Sequence, residues 1–208
     1  MTTVTTPPSA TWRRVLARLA TEVLAPWVWV LLLPLAVAWQ ATGYALLPAL
    51  GWGLWIALTG SIVPMLVIVR GARRGRWDGH HVRNREGRLV PLLACFASLG
   101  VGAAVAWVLH APSRMLVLAA AMLATLVACG YLTVVHRWKV SVHAAVAAGG
   151  LVILVVCYGP VMALLAPAVV WVCWSRVELQ DHTAAQVWVG ALVGVLVGGG
   201  VFAVPALL

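Results

Sequence analysis

"SRVELQDHTAAQ", Ser175 to Gln186, gathers Ser, Arg, Glu, Gln, Asp and His into a chain that carries little charge elsewhere. Apolar sequence bounds it on both sides, over 160–174 and 183–207. Such an island is either a solvated connection between hydrophobic helices or a catalytic site at a membrane surface. Its flanks settle the fold class first. Of the 208 residues 63% are hydrophobic and only 9% are charged, against about 25% charged in soluble domains. A hydrocarbon core about 30 Å thick takes about 20 apolar residues per helix. Six stretches are of that order: 24–41, 44–69, 89–109, 114–135, 143–159 and 183–207. A seventh, 160–174, is short, carries Pro160 and Pro167, and follows the Gly159-Pro160 break, so it reads as a kinked or tilted span. The expected fold is an all-α polytopic membrane bundle of about six transmembrane helices, with its site at one membrane face.

The organisation is simple. Residues 1–23 read as a retained lead-in, irregular and then amphipathic, without a small-residue cleavage pattern. Residues 24–208 read as one transmembrane domain. When the spans alternate, every long polar stretch falls on one side, with thirteen of the fourteen basic residues and only Arg114 opposite. Positive charge marks the cytoplasmic side, so the polar face is expected in the cytoplasm of a cell membrane. The Arg-rich, Ala-, Val- and Gly-rich usage suits a bacterial source. The basic balance fits a membrane surface, and no nucleic-acid partner is expected. Cys95, Cys129, Cys157 and Cys173 lie inside apolar runs without metal-ligand spacing and read as packing residues.

Three polar clusters share the basic face: "RWDGHHVRNREGRLVP" (Arg76–Pro91), "HRWKVSVH" (His136–His143) and the stretch at Ser175. Each precedes an apolar helix. Helix N-termini aimed at one place favour an anion, because their N–H groups are unpaired and the helix dipole is positive there. Arginines add planar donors that fit phosphate oxygens. One such cluster alone is an ordinary juxtamembrane loop. Three together, two of them delivering a histidine to a helix start, point to a phosphate site.

The spacing Ser175-Arg176, five residues, His182, three residues, Gln186 resembles the third signature of the type 2 phosphatidic acid phosphatase (PAP2) superfamily, SR-x5-H-x3-D. Ser141-Val142-His143 resembles that family's P-S-G-H, with Val140 and Val142 in the Pro and Gly places. His81, six residues and Arg88 resemble K-x6-R-P, with His81 for Lys and Leu89 for Pro. The resemblance covers about 81 to 186. It implies a compact helical bundle that hydrolyses a lipid-borne phosphate at one membrane face, with no metal and no cofactor.

The chemistry of these side chains agrees with that implication. His182 is the candidate nucleophile, forming a phosphohistidine that water then hydrolyses. Gln186, four residues on, is expected to accept from the His182 ring and fix its tautomer, where the family's Asp would add charge to stabilise the imidazolium. Glu178 and Asp181 are the acids available to compensate. His143 is the candidate general acid. Ser141 and nearby amides, with Arg88, Arg176, His81 and Lys139, are the candidate phosphate-binding groups; Lys139 is equally suited to snorkelling. His80-His81 beside Asp78 lacks matching ligands elsewhere, so no metal site is assigned. The expected substrate is an isoprenoid (di)phosphate or a phosphatidate-like monoester. The competing expectation is a lipid-phosphate binding or transport protein that keeps the pocket without full nucleophile activation. A Mg²⁺-dependent isoprenoid transferase would need more carboxylates than Glu22, Asp78, Glu86, Glu178 and Asp181 provide.

Overall fold

The computed structural model describes residues 8–74 and 89–207, and all the regular structure in them is helical. Helix α1 is Pro8–Val23 and α2 is Pro26–Ala41. Next come α3, Leu46–Arg73, and α4, Leu89–Val108. Then follow α5, Ser113–Val134, and α6, Val142–Tyr158. The chain ends with α7, Pro160–Glu178, and α8, which runs apolar from Ala184 to Pro205. Five of these are long and apolar enough to cross a bilayer, and α1 with α2 forms a sixth such unit bent by 43°. Helix α6 is apolar but shorter. The chain is a multi-pass helical membrane protein. Its large apolar side chains point outward as well as inward, as Leu47, Leu164 and Trp188 show, because the surrounding solvent is hydrocarbon.

Within the lead-in, residues 8–23 form one continuous helix, and residues 1–7 lie outside the described residues. The doubtful span 160–174 resolves into a 3-10 start, Pro160–Leu165, followed by α-helix from Ala166 to Glu178. Pro160 sits where its missing N–H is not needed, so it opens the helix instead of breaking it.

Helices in lipid gain little from hydrophobicity between themselves and associate through close packing and polar links. Two π turns supply such links or sit beside them. In α3 the π turn Leu58–Ile62 opens the ladder, and the Thr59 carbonyl accepts from Ser98 Oγ of α4 at 2.7 Å. Trp55 Nε1 donates to Gly102 O at 2.9 Å in the same interface. In α8 the π turn is Gly194–Gly199, where the helix crosses α6. A Cβ added to Gly194 would overlap the Ala145 carbonyl, and one added to Gly190 would overlap the Ser141 carbonyl. Helix α6 is therefore held backbone to backbone against α8, with His143, Ala144, Ala145, Ala147, Ala148, Gly149 and Gly150 all buried. The opposite end of the bundle is tied by Arg114 to Gln40 at 2.6 Å and by Tyr158 Oη to Ala36 O at 2.6 Å.

This packing makes a test of the α6–α8 contact. Gly194→Ala is expected to lower thermal stability in detergent by about 1–3 kcal/mol or more, the usual cost of overpacking. Gly51→Ala, whose Cβ would meet nothing within 4 Å, should leave the melting curve unchanged or shift it slightly upward. Intrinsic fluorescence melts of the two variants read the difference.

Candidate active site

The stretch Ser175–Gln186 ends one helix and begins the next. Ser175 and Arg176 occupy the last turn of α7. Beyond Leu179 the chain turns through Gln180, which has φ 57. The Gln180 amide donates to Val177 O at 2.9 Å, and the Asp181 amide donates to Arg176 O at 3.1 Å. That pair of bonds is the Schellman closure, with glutamine in the left-handed position that usually takes glycine. The His182 amide also reaches Arg176 O, at 3.1 Å. Thr183 then caps α8. Five residues between Arg and His are thus the length of one helix stop and one helix start.

The turn folds Asp181 back onto Arg176. Their side chains meet at 2.9 Å while only 7% and 3% exposed. Arg176 also donates through NH1 to Thr21 Oγ1 of α1 at 3.2 Å. Ser175 Oγ donates to Val172 O at 2.7 Å, so its single proton is used. Thr21 must then be the donor in the 3.0 Å contact with Ser175 Oγ. Helix α1 was read as a lead-in, yet it supplies a buried partner to the site. The signal was present in the sequence: Ala17, Ala20 and Thr21 make a small-residue stripe at helical spacing.

The loop 135–141 joins from the other side. Lys139 Nζ donates to the Asp181 carbonyl at 2.8 Å, and the Ser141 amide donates to Gln186 O at 3.2 Å. His182 Nδ1 lies 3.2 Å from the Lys139 carbonyl. A carbonyl only accepts, so Nδ1 carries the proton, and in the neutral ring the lone pair is on Nε2.

Gln186 does not hold the histidine ring in this arrangement. Its Oε1 accepts from the Thr183 amide at 3.1 Å, and its own amide donates to Thr183 Oγ1 at 3.3 Å. Thr183-x-x-Gln186 is a capping box, a pattern readable in the sequence. The cap competes for the same side chain and satisfies an amide that would otherwise be orphaned. The ring's partner is instead a backbone carbonyl, which no motif reports.

Ser141 is fully buried and caps α6, its Oγ accepting from Ala144 N at 3.4 Å. His143 is the second residue of α6 and is buried. His81 and Arg88 lie outside the described residues. Among the described residues, no three His, Cys, Asp or Glu side chains cluster as metal ligands would.

His143, His182 and Arg176 line one cavity of about 270 Å³. The rest of its wall is mostly apolar, including Trp29, Leu33, Leu99 and Ile153. His143 and Ile153 are ten residues apart on α6, so the chamber extends about 15 Å along that helix. Its geometry is a charged and imidazole-bearing end on a greasy shaft. Neither Ser141 nor Lys139 is on the wall; both brace the loops behind it. Comparison with known family models, curated proteins and solved structures returns no match.

Two substitutions separate support of the fold from support of the ring. Asp181→Ala leaves Arg176 charged and buried with fewer partners and should cost about 3–5 kcal/mol of stability, measured as the denaturation midpoint in mixed micelles. Gln186→Ala should remove only a helix cap, about 0.5–2 kcal/mol. The His182 Nε2 tautomer signal in ¹⁵N spectra should stay in place. A tautomer change in the Gln186 variant would show that this side chain does reach the ring.

Proposed function

We propose that the chain is a PAP2-type lipid phosphatase acting on an isoprenoid (di)phosphate or a phosphatidate-like monoester. One observation carries the reading: two histidines and an arginine sit at one end of an otherwise apolar intramembrane cavity. A free phosphate would not need the greasy shaft, and a plain hydrocarbon would not need the imidazoles. A lipid with a phosphorylated end uses both.

In the proposed reaction His182 Nε2 attacks phosphorus while its Nδ1–H remains on the Lys139 carbonyl. The bond from phosphorus to the leaving oxygen breaks, and His143 gives that oxygen its proton. Water then attacks the phosphohistidine, the N–P bond breaks, and His143 takes up the water's proton as phosphate leaves. Arg176 holds five N–H donors in a fixed fork. It lines the cavity beside the two histidines, so its fork is proposed to meet phosphoryl oxygens, where charge grows in the transition state. His81 and Arg88 are the further phosphate ligands proposed from the sequence. The phosphate end is proposed to lie at the cytoplasmic face of a bacterial cell membrane.

A second reading has its own support. The His182 ring rests on a neutral carbonyl, where the resembled family uses a carboxylate, and Arg176 is already paired with Asp181. A lipid-phosphate binding or transport protein would be built this way, with affinity but weak nucleophile activation. Phosphate release by reconstituted protein decides between the two. Wild type should hydrolyse at least one lipid phosphate, and His182→Ala should lose at least about a thousandfold in rate, as loss of a nucleophile does. EDTA should leave the rate largely intact. A wild-type preparation that binds these lipids saturably and releases no phosphate would establish the binding reading.

A further inference from the structure

Helix α1 has three faces. At 100° per residue Trp12, Val15, Leu16, Leu19 and Val23 fall on one side, and all five are exposed. Ala17, Ala20 and Thr21 fall on a second and are buried where α1 meets α7. Arg14 and Arg18, one turn apart, form the third and are exposed. An exposed tryptophan and four exposed aliphatics beside two arginines suit neither water nor hydrocarbon alone. They suit the boundary between the two, with the apolar face among acyl chains and the guanidiniums at phosphate level. Helix α1 enters α2 through a 43° bend, so it does not continue the direction of α2. Arg70, Arg73 and Arg74, also exposed, end α3, and alternation of the helices puts them at the same end of the bundle. The occupant whose charge complements this surface is an acidic bilayer.

We propose that α1 is a docking surface for anionic phospholipid headgroups, and that its seating controls the candidate site through Thr21 and Arg13. Arg13 NH2 pairs with Glu178 at 2.9 Å across the end of α7. Thr21 accepts from Arg176 and donates to Ser175. These contacts fasten α1 to the turn that carries Arg176. Seated on acidic lipid, α1 holds Thr21 against the guanidinium and keeps its fork aimed; lifted, it withdraws one of the partners that orient Arg176. The control arm rests on the phosphatase reading, and the docking arm does not.

The test uses the whole protein in nanodiscs of phosphatidylcholine, with or without about a third phosphatidylglycerol. Hydrogen exchange of the α1 amides should slow about tenfold or more in the acidic discs, since each basic residue at such a surface contributes about fivefold. Salt near 0.5 M should abolish the difference, as should Arg14→Gln with Arg18→Gln. Inorganic phosphate added to neutral discs should leave exchange unchanged; protection by free phosphate, or equal exchange in both discs, overturns the docking surface. Phosphate release should rise several-fold with acidic lipid in wild type and stay flat in the double arginine variant. The two proteins should be equal in neutral discs. Thr21→Val should keep the exchange response and lose the rate response; keeping both overturns the control arm. Exchange that responds in a protein releasing no phosphate from any lipid supports the docking surface and overturns the phosphatase reading alone.

Discussion

A guanidinium buried in the end of a membrane bundle imposes most of the local structure around it. Taking Arg176 out of water costs several kcal/mol unless its N–H groups find partners. Asp181 neutralises it, Thr21 takes another N–H, and the Arg176 carbonyl accepts two amides from the loop it helps to close. The residue thus organises the chain through both its ends. Its side chain draws α1 and Asp181 inward, and its backbone sets where His182 begins.

The second requirement is closeness of α6 to α8. Gly190 and Gly194 let the two backbones touch, and that contact brings the loop 135–141 over the start of α8. Ser141 and Gln186 then bond through their backbones, Lys139 Nζ reaches the Asp181 carbonyl, and its own carbonyl reaches the His182 ring. On its other side α6 packs against α2, where Trp29 lies against Gly150, and the apolar cavity opens between α6 and residues of α2 to α5. One face of a single helix therefore fixes the ring while the other shapes the chamber it faces.

The polar atoms within the bundle are few and nearly all are spent on the backbone. Thr59, Ser98, Thr125 and Ser175 all donate to carbonyls. Hydrocarbon cannot satisfy such groups, so each must find its partner inside the protein. Arg176, Asp181 and the two cavity histidines depart from this economy by bringing charge or a titratable ring to one spot. Ionisable groups concentrated at the end of an apolar bundle mark function more strongly than they mark stability.

The fold was largely readable from the sequence, because a bilayer sets helix length directly and an apolar run of about 20 residues has few other uses. Most spans, the turn at Gly159-Pro160 and the helix starts at Val142 and Ala184 follow from local pattern. Two lengths do not: the full-length span is Pro160–Glu178 and the shorter helix is Val142–Tyr158, the reverse of the expected lengths. The capping box was also readable, since Thr183 and Gln186 stand three residues apart. His143, His182 and Arg176 were expected at one site and line one cavity, but the partners that hold them were not readable. Thr21 and Arg176 are 155 positions apart, and the partner of His182 is the main-chain oxygen of Lys139, which every residue type possesses. Local pattern records what a segment does with its own neighbours. The Arg176–Asp181–Thr21 cluster and the ring's carbonyl partner depend on how α1, α6, α7 and α8 cross, and those crossings are set by small residues whose effect exists only when a second helix lies against them.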